Sequence, residues 1–473
     1  MSVANGAKEC QRSSPMKARS HPGRRFSSLL PRSLFGRILL VCVLCVLLLL
    51  TVAGVIAASI WIEDRHPADD PEKALFPGAQ RMVTRPIVQA VSRRIEEKIR
   101  RNMEAKFMET GLSLDETIAY FLDERIDLRE RRFHAYRLAR EGTPESIAAL
   151  LKVLYAAPPA DKAYIAALIG RTGNPAGKEW LKPLLSDPDE KVARAAIRGM
   201  GLLGGDDASA ELGAILEDED RSQPVRIESA IALGSIGSAA STDALVTAFS
   251  EMPSDEVTAE ILNGLGKANY HRVGPVFESF IGSGQAPVEM RMVAVEALSE
   301  SSADAIPYLV GVAAGHREAD LRASAAWAIS AHGAASYLGP GLADMTEKEP
   351  EADVRRRLYE AMLTQPGLPA DRVLSAAMKE DDVAARIAGF NAIGHATRQA
   401  PGSATASAFD AEIIPELVQT ASQPNSLNLR MRAVFALRRA GTPAARQALE
   451  TLSRCETPQI ATAARNGLRA ANP

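Results

Sequence analysis

The sequence predicts an all-α solenoid, a stack of short helical hairpins carried behind one N-terminal membrane-spanning helix. Three observations predict it. First, small residues return at a nearly constant interval: Ala135, Gly199, Ala232, Gly264, Ala297, Ala328, Ala361, Ala392, Ala436 and Gly467. From Ala232 to Ala392 the gaps are 32, 33, 31, 33 and 31, and the 64 residues from Ala135 to Gly199 make two periods with Leu168 between them. Self-similarity at this spacing marks supersecondary units that stack on one another. Second, aromatic residues are only 5% of the 473; an aromatic-poor, alanine-rich interior suits closely packed helices better than a barrel or sandwich. Third, no charge interrupts the 25 residues from Ile38 to Ile62, a run longer than the roughly 20 apolar residues that cross a bilayer as a helix.

Residues 1–37 carry eight Lys and Arg against one Glu, and their Ser, Arg and Pro content reads as a disordered basic tail. Arginines crowd the N-terminal side of the apolar run, while Glu63, Asp64, Asp69 and Asp70 follow it. The positive-inside rule then puts the tail in the cytoplasm and the remainder in the periplasm or outside the cell. The rival reading is a signal peptide cleaved after Ala57, with Val55 at the −3 position, which would release a secreted array. An apolar run this long exceeds the usual 7–15-residue core of a signal peptide and favours an uncleaved anchor at 38–62. Of the four cysteines, Cys10, Cys42 and Cys45 belong to the tail and the span, so Cys455 has no partner for an intrachain disulfide. Residues 63–112 form a spacer with Pro67, Pro71 and Pro77, then an amphipathic helix with Ile87, Val91, Ile95, Ile99, Met103 and Phe107 at every fourth position. Because the tail holds +7 of a total charge of −3, everything after it sums to −10. An acidic array disfavours nucleic acid, which needs a cationic face.

The repeats are expected from Ser113 to the C-terminus, about eleven units over 113–473. Ser113 and Glu116 form a capping box that starts a helix through Leu122. Second helices of later units follow a template: an Asp or Asn cap, an apolar residue, then often Arg, with the small residue six positions further on. Asp127-Leu128-Arg129, Asp320-Leu321-Arg322, Asp353-Val354-Arg355 and Asn428-Leu429-Arg430 carry it. Gly then ends the helix and Thr-Pro or Asn-Pro restarts the next, as in Gly142-Thr143-Pro144, Gly173-Asn174-Pro175 and Gly441-Thr442-Pro443. The pattern of Val225-Arg226 through Ala230, Ala232-Leu233-Gly234 and Ile236-Gly237, repeated at Ala385-Arg386 through Ala392-Ile393-Gly394, resembles HEAT repeats. The likeness is to the short repeats of the phycobilisome-lyase-like type. That resemblance implies an α-solenoid and, for most members, a surface for protein partners. Because bilin lyases belong to the same type, it also implies an alternative: a lyase-like enzyme or chaperone for a bilin or other tetrapyrrole. One interval breaks the rhythm. Ala392 to Ala436 is 44, and the excess at Gln399–Ser407, within 397–410, reads as a projecting flexible loop.

No catalytic constellation emerges. His21, His66, His134, His271, His316, His332 and His395 are scattered, with no H-E-x-x-H and no zinc spacing to cysteine. Neither a G-x-S-x-G elbow nor a P-loop occurs. Gly199-Met-Gly201-Leu-Leu-Gly204 spells a dinucleotide fingerprint but closes a helix where the fingerprint should open one, so it reads as repeat packing. Asp187-Pro-Asp189-Glu190 and Glu217-Asp-Glu-Asp220 read as helix caps. The repeated arginine (Arg129, Arg226, Arg291, Arg322, Arg355, Arg386, Arg430) reads as a ladder onto acidic residues or carbonyls of the adjacent turn. Five positions beyond it runs a mostly polar column expected to face solvent on the inner side. Its candidates for partner binding are His134, Arg198, Asn263, Glu296, Trp327, Glu360, Asn391 and Phe435, with Trp327 and Phe435 as aromatic anchors. The sequence thus leads to the expectation of a membrane-tethered, non-enzymatic scaffold for protein partners of the envelope or membrane, without metal, cofactor or nucleic acid.

Overall fold

Helix starts and stops are written into the chain at short range. Ser113 accepts from the Glu116 N–H while Glu116 reaches back to Ser113, closing the capping box. Thr143 and Thr442 cap the helices that begin with Pro144 and Pro443, where the missing proline N–H costs nothing. Gly237 and Gly441 end helices in the left-handed conformation, with φ of 64° and 62°, which a Cβ would strain. A computed structural model describes residues 112–251, 254–333, 338–363, 365 and 367–470. The expected tail, span and juxtamembrane helix lie outside those residues. Among the described residues no helix is long and apolar enough to cross a membrane.

Among the described residues eleven hairpins follow in chain order. They are α1 (Leu114–Leu122) with α2 (Leu128–Glu141), α3 (Pro144–Ala156) with α4 (Pro159–Arg171), and α5 (Gly177–Leu181) with α6 (Glu190–Leu203). Next come α7 (Asp206–Glu217) with α8 (Gln223–Ile236), α9 (Ala239–Ser250) with α10 (Asp255–Gly266), and α11 (Tyr270–Gly282) with α12 (Val288–Ala297). Then α13 (Ile306–Gly315) pairs with α14 (Ala319–Ala331), α15 (Gly339–Lys348) with α16 (Ala352–Met362), and α17 (Ala370–Met378) with α18 (Val383–Gln399). In the tenth unit α19 (Ala404–Ala408), a π-turn (Phe409–Ile413) and α20 (Ile414–Ser422) precede α21 (Leu427–Ala440); α22 (Pro443–Leu452) and α23 (Pro458–Ala470) complete the stack. Every second helix packs against the second helix of the next unit, from α2 on α4 to α21 on α23. The first helices form the other layer, with α1 on α3, α7 on α9 and α20 on α22. Each hairpin therefore lends its neighbour an apolar side that neither could bury alone.

The small column lies at the crossings of the second helices. A Cβ on Gly170 would sit 2.3 Å from the Gly199 Cα, and one on Gly266 would sit 2.3 Å from the Ala297 carbonyl oxygen. Extra atoms there would force the helices apart, and overpacking of this kind costs about 1–3 kcal/mol. The G-x-G-x-x-G stretch belongs to this packing: Gly199 and Gly201 lie inside α6, and Gly204, at φ 68°, ends it.

Two expectations need correcting. Asp320, Asp353 and Asn428 are not caps; α14, α16 and α21 begin earlier, behind Glu318, Glu351 and Ser426, so all three lie within the first turn. There the two aspartates still face the positive end of the helix dipole, which is why sequence spacing alone misplaced the boundary. The excess residues after Ala392 do not form a loose loop throughout. Ser403 accepts from the Ala406 N–H and starts α19, and Thr405 and Ala406 are buried. An N-cap followed by small residues suits a helix as well as a linker.

Candidate functional site

The second-helix layer has two edges and a face between them, and each treats charge differently. At the edge formed by helix N-termini the repeated arginines from Arg226 to Arg430 make a ladder, while the Arg129 side chain lies outside what the structure describes. Arg322 holds Glu349 through two bonds of 2.8 and 2.7 Å and the His316 carbonyl at 2.8 Å. Arg355 holds Glu380 at 2.6 and 2.7 Å and the Glu349 carbonyl at 3.1 Å. Arg386 donates to Glu416 at 2.7 Å, Arg291 pairs with Glu318 at 2.7 Å, and Arg430 donates to the Ala421 carbonyl and Thr457. Arg226 meets the Leu216 carbonyl at 2.9 Å. The planar fork of arginine serves a carboxylate and a helix-end carbonyl together. Hydrogen bonding from Arg355 holds the Glu380 carboxyl below its ordinary value.

On the face, the candidate column is less open than its polarity suggested. His134 and Glu296 are buried, at 7% and 4% exposure, which corrects the expectation of a solvent-facing column at both positions. Arg198 and Phe435 are exposed, whereas Asn263, Trp327, Glu360 and Asn391 are half-buried. The reason is that side chains of this column are met by neighbours, at Arg198 and Glu296 by the residue two positions after the arginine place of the following repeat. Arg198 donates to Glu228 at 2.9 and 2.8 Å, and Arg194 joins the same carboxylate at 3.1 Å. Ser324 donates to Glu296 at 3.1 Å. Glu360 accepts from Arg356 and Arg357, and also from Arg432 of α21. Burial raises the Glu360 carboxyl, yet those three guanidiniums keep it below its usual range. His134 instead packs between the rings of Tyr120 and Phe133, with centroids 4.2 and 5.2 Å away.

Glu296 differs from the rest. Its Oε2 is buried without a hydrogen bond, and burial pushes its pKa up to about 7, against the lowering pull of Ser324 and Arg357. Sequence reasoning missed Glu228, Arg357 and Arg432. Glu228 had a signal, a complementary residue 28 to 30 positions after a column member, as in Glu296 with Ser324 and Arg198 with Glu228; Arg357, three positions before Glu360, and Arg432, 72 after it, had none of that spacing.

The acidic runs are engaged locally. Asp189 caps α6 by accepting from the Lys191 and Val192 N–H groups. Asp187 accepts from the Asp189 N–H at 2.9 Å, and Asp218 from the Asp220 N–H at 3.0 Å.

Comparison with known proteins agrees with this architecture. The family model for HEAT repeats matches residues 147–223 and 178–266. HEAT repeats are therefore present in this stretch, and the two-layered stack around it is an α-solenoid. No curated protein matches the sequence. Among solved structures, the chain is similar to human deoxyhypusine hydroxylase in complex with glycerol at 16% identity, over 71% of this chain and 95% of that one, with a TM-score of 0.26. It is similar to CpcE and CpcF of phycocyanin lyase from Nostoc sp. PCC7120 at 20% identity, over 60% and 94%, with a TM-score of 0.27. It is also similar to Kap121p bound to Pho4p at 11% identity and a TM-score of 0.41, over 76% of this chain and 48% of that one, so it spans about half the length of that protein.

Proposed function

We propose that this chain is a non-enzymatic scaffold, tethered to a membrane through residues 38–62 and presenting its solenoid outside the cytoplasm to a protein of the envelope or membrane. The observation that carries the binding reading is Phe435, 40% exposed on a face whose other large side chains are mostly paired or packed. Half-buried Trp327 shares its column. Aromatic side chains in such positions supply most of the energy of protein interfaces. The anchor and its orientation rest on the charge-free run and its flanks.

The test is crosslinked pull-down of the full chain from its native membranes, with Trp327→Ala and Phe435→Ala compared with the unaltered protein. Recovery of the partner should fall at least fivefold in each variant while the thermal melt is retained. Unchanged recovery in both would remove the face from consideration. Carbonate washing should leave the chain in the membrane fraction, and its release would contradict the tether.

A further inference from the structure

At the opposite edge of the second-helix layer, the C-terminal ends of α18 and α21 bring together arginines that lack acidic partners among the described residues. Arg398 and Arg438 are exposed and Arg439 is half-buried. Arg398 lies by Gly441 at the end of α21, and the Arg438 side chain lies by Gly467 of α23. None of Arg398, Arg438 and Arg439 forms an ion pair with a carboxylate among the described residues, in contrast to the ladder at the other edge. Burial and then Arg438 lower the pKa of Arg439; burial, Arg439 and Arg398 lower that of His395.

A cation at a helix C-terminus is stabilised by the dipole by about 0.3–1 kcal/mol. That accounts for one arginine per helix end. It does not account for neighbouring guanidiniums that repel one another while one of them is half-desolvated, an arrangement that costs free energy until an anion arrives.

Phe435 lies one turn before Arg438 and Arg439 on α21, at the i+3 and i+4 spacing that shares a face. The edge thus combines cations with an exposed ring. Residues 383–473 hold ten Lys and Arg against five Asp and Glu, whereas 113–382 hold 27 against 43. Within the repeat array an acidic partner is therefore steered to this end and repelled from 113–382.

We infer that the edge formed by Arg398, Phe435, Arg438 and Arg439 docks an acidic protein segment carrying an apolar side chain. The carboxylates meet the arginines and the apolar group covers Phe435, a contact that a phosphate group does not supply. This deepens the scaffold reading and rests on it.

The experiment is fluorescence anisotropy of the purified full chain with a fluorescein-labelled peptide of four Glu residues around a central Phe-Leu pair. Binding is expected, with a loss of tenfold or more in the Arg438→Glu, Arg439→Glu double variant. Little change is expected in Arg454→Glu, an exposed arginine outside the cluster. Replacing Glu by Gln in the peptide should abolish binding. Absence of binding, equal binding by the double variant, or binding of phosphatidylglycerol vesicles in preference to the peptide would overturn the assignment. So would a dimer in sedimentation that the double variant abolishes, since the occupant would then be a second copy. Failure of the peptide while partner recovery still depends on Trp327 counts against this edge alone. Peptide binding with partner recovery indifferent to Trp327 and Phe435 counts against the scaffold face alone.

Discussion

The two edges of the second-helix layer use the same residue type to opposite ends. Where helices begin, Arg322, Arg355 and Arg386 each grip a glutamate belonging to the following repeat. Where α18 and α21 end, Arg398, Arg438 and Arg439 come close without an ion pair to a carboxylate among the described residues. A ladder rung joins two units and excludes water, so it fixes the register of the stack. A cluster without counter-charge fixes nothing internal and retains its charge for something outside. Arginine content alone does not distinguish these roles; the partner 25 to 30 residues further on does.

The comparison is broken most forcefully at the paired edge. Arg322 and Glu349 are 11% and 6% exposed, so Arg322→Ala strands a buried carboxylate. Removing one partner of such a pair costs about 3–5 kcal/mol. The urea midpoint should drop accordingly, with the transition losing cooperativity as the array divides near α14, because nearest-neighbour coupling holds a solenoid together.

A somewhat smaller, pH-dependent effect is expected on the face between the edges. The folded Glu296 value of about 7 lies above its ordinary 4.5, so across that interval the folded chain holds a proton that the unfolded chain has released. The stability contributed is complete below about pH 4.5 and is lost as pH rises through 7. Glu296→Gln, which stays neutral, should match the unaltered protein at low pH and exceed it by about 3 kcal/mol at pH 8. Parallel denaturation series at the two pH values check this, and identical pH profiles would contradict it.

Periodic features of the fold were legible because they depend on residues close in the chain. The small column needs only a regular crossing of adjacent helices, and the ladder needs only one arginine per unit with a carboxylate in the next. Exposure of the polar column was not legible to the same degree. His134 and Glu296 sit at the same register as exposed Phe435, but their burial depends on what the neighbouring repeats place against them. Tyr120 and Phe133 enclose His134, and Ser324 meets Glu296. Helix boundaries slipped at Asp320 and Asp353 because an acidic residue is favourable both at a cap and one turn inside it. The cluster at Arg398, Arg438 and Arg439 stayed hidden for a different reason. Its meaning lies in which carboxylates are out of reach, and spacing along a sequence does not reveal that.

The most direct measurement is a paired set of urea titrations on Arg322→Ala and Arg439→Ala. Arg439→Ala should leave stability within about 0.5 kcal/mol of the unaltered protein or raise it slightly, since it removes a half-buried charge without an acidic partner, while Arg322→Ala shows its full loss. Equal and large losses in both variants would mean that the two edges do the same structural work, and the account would be wrong.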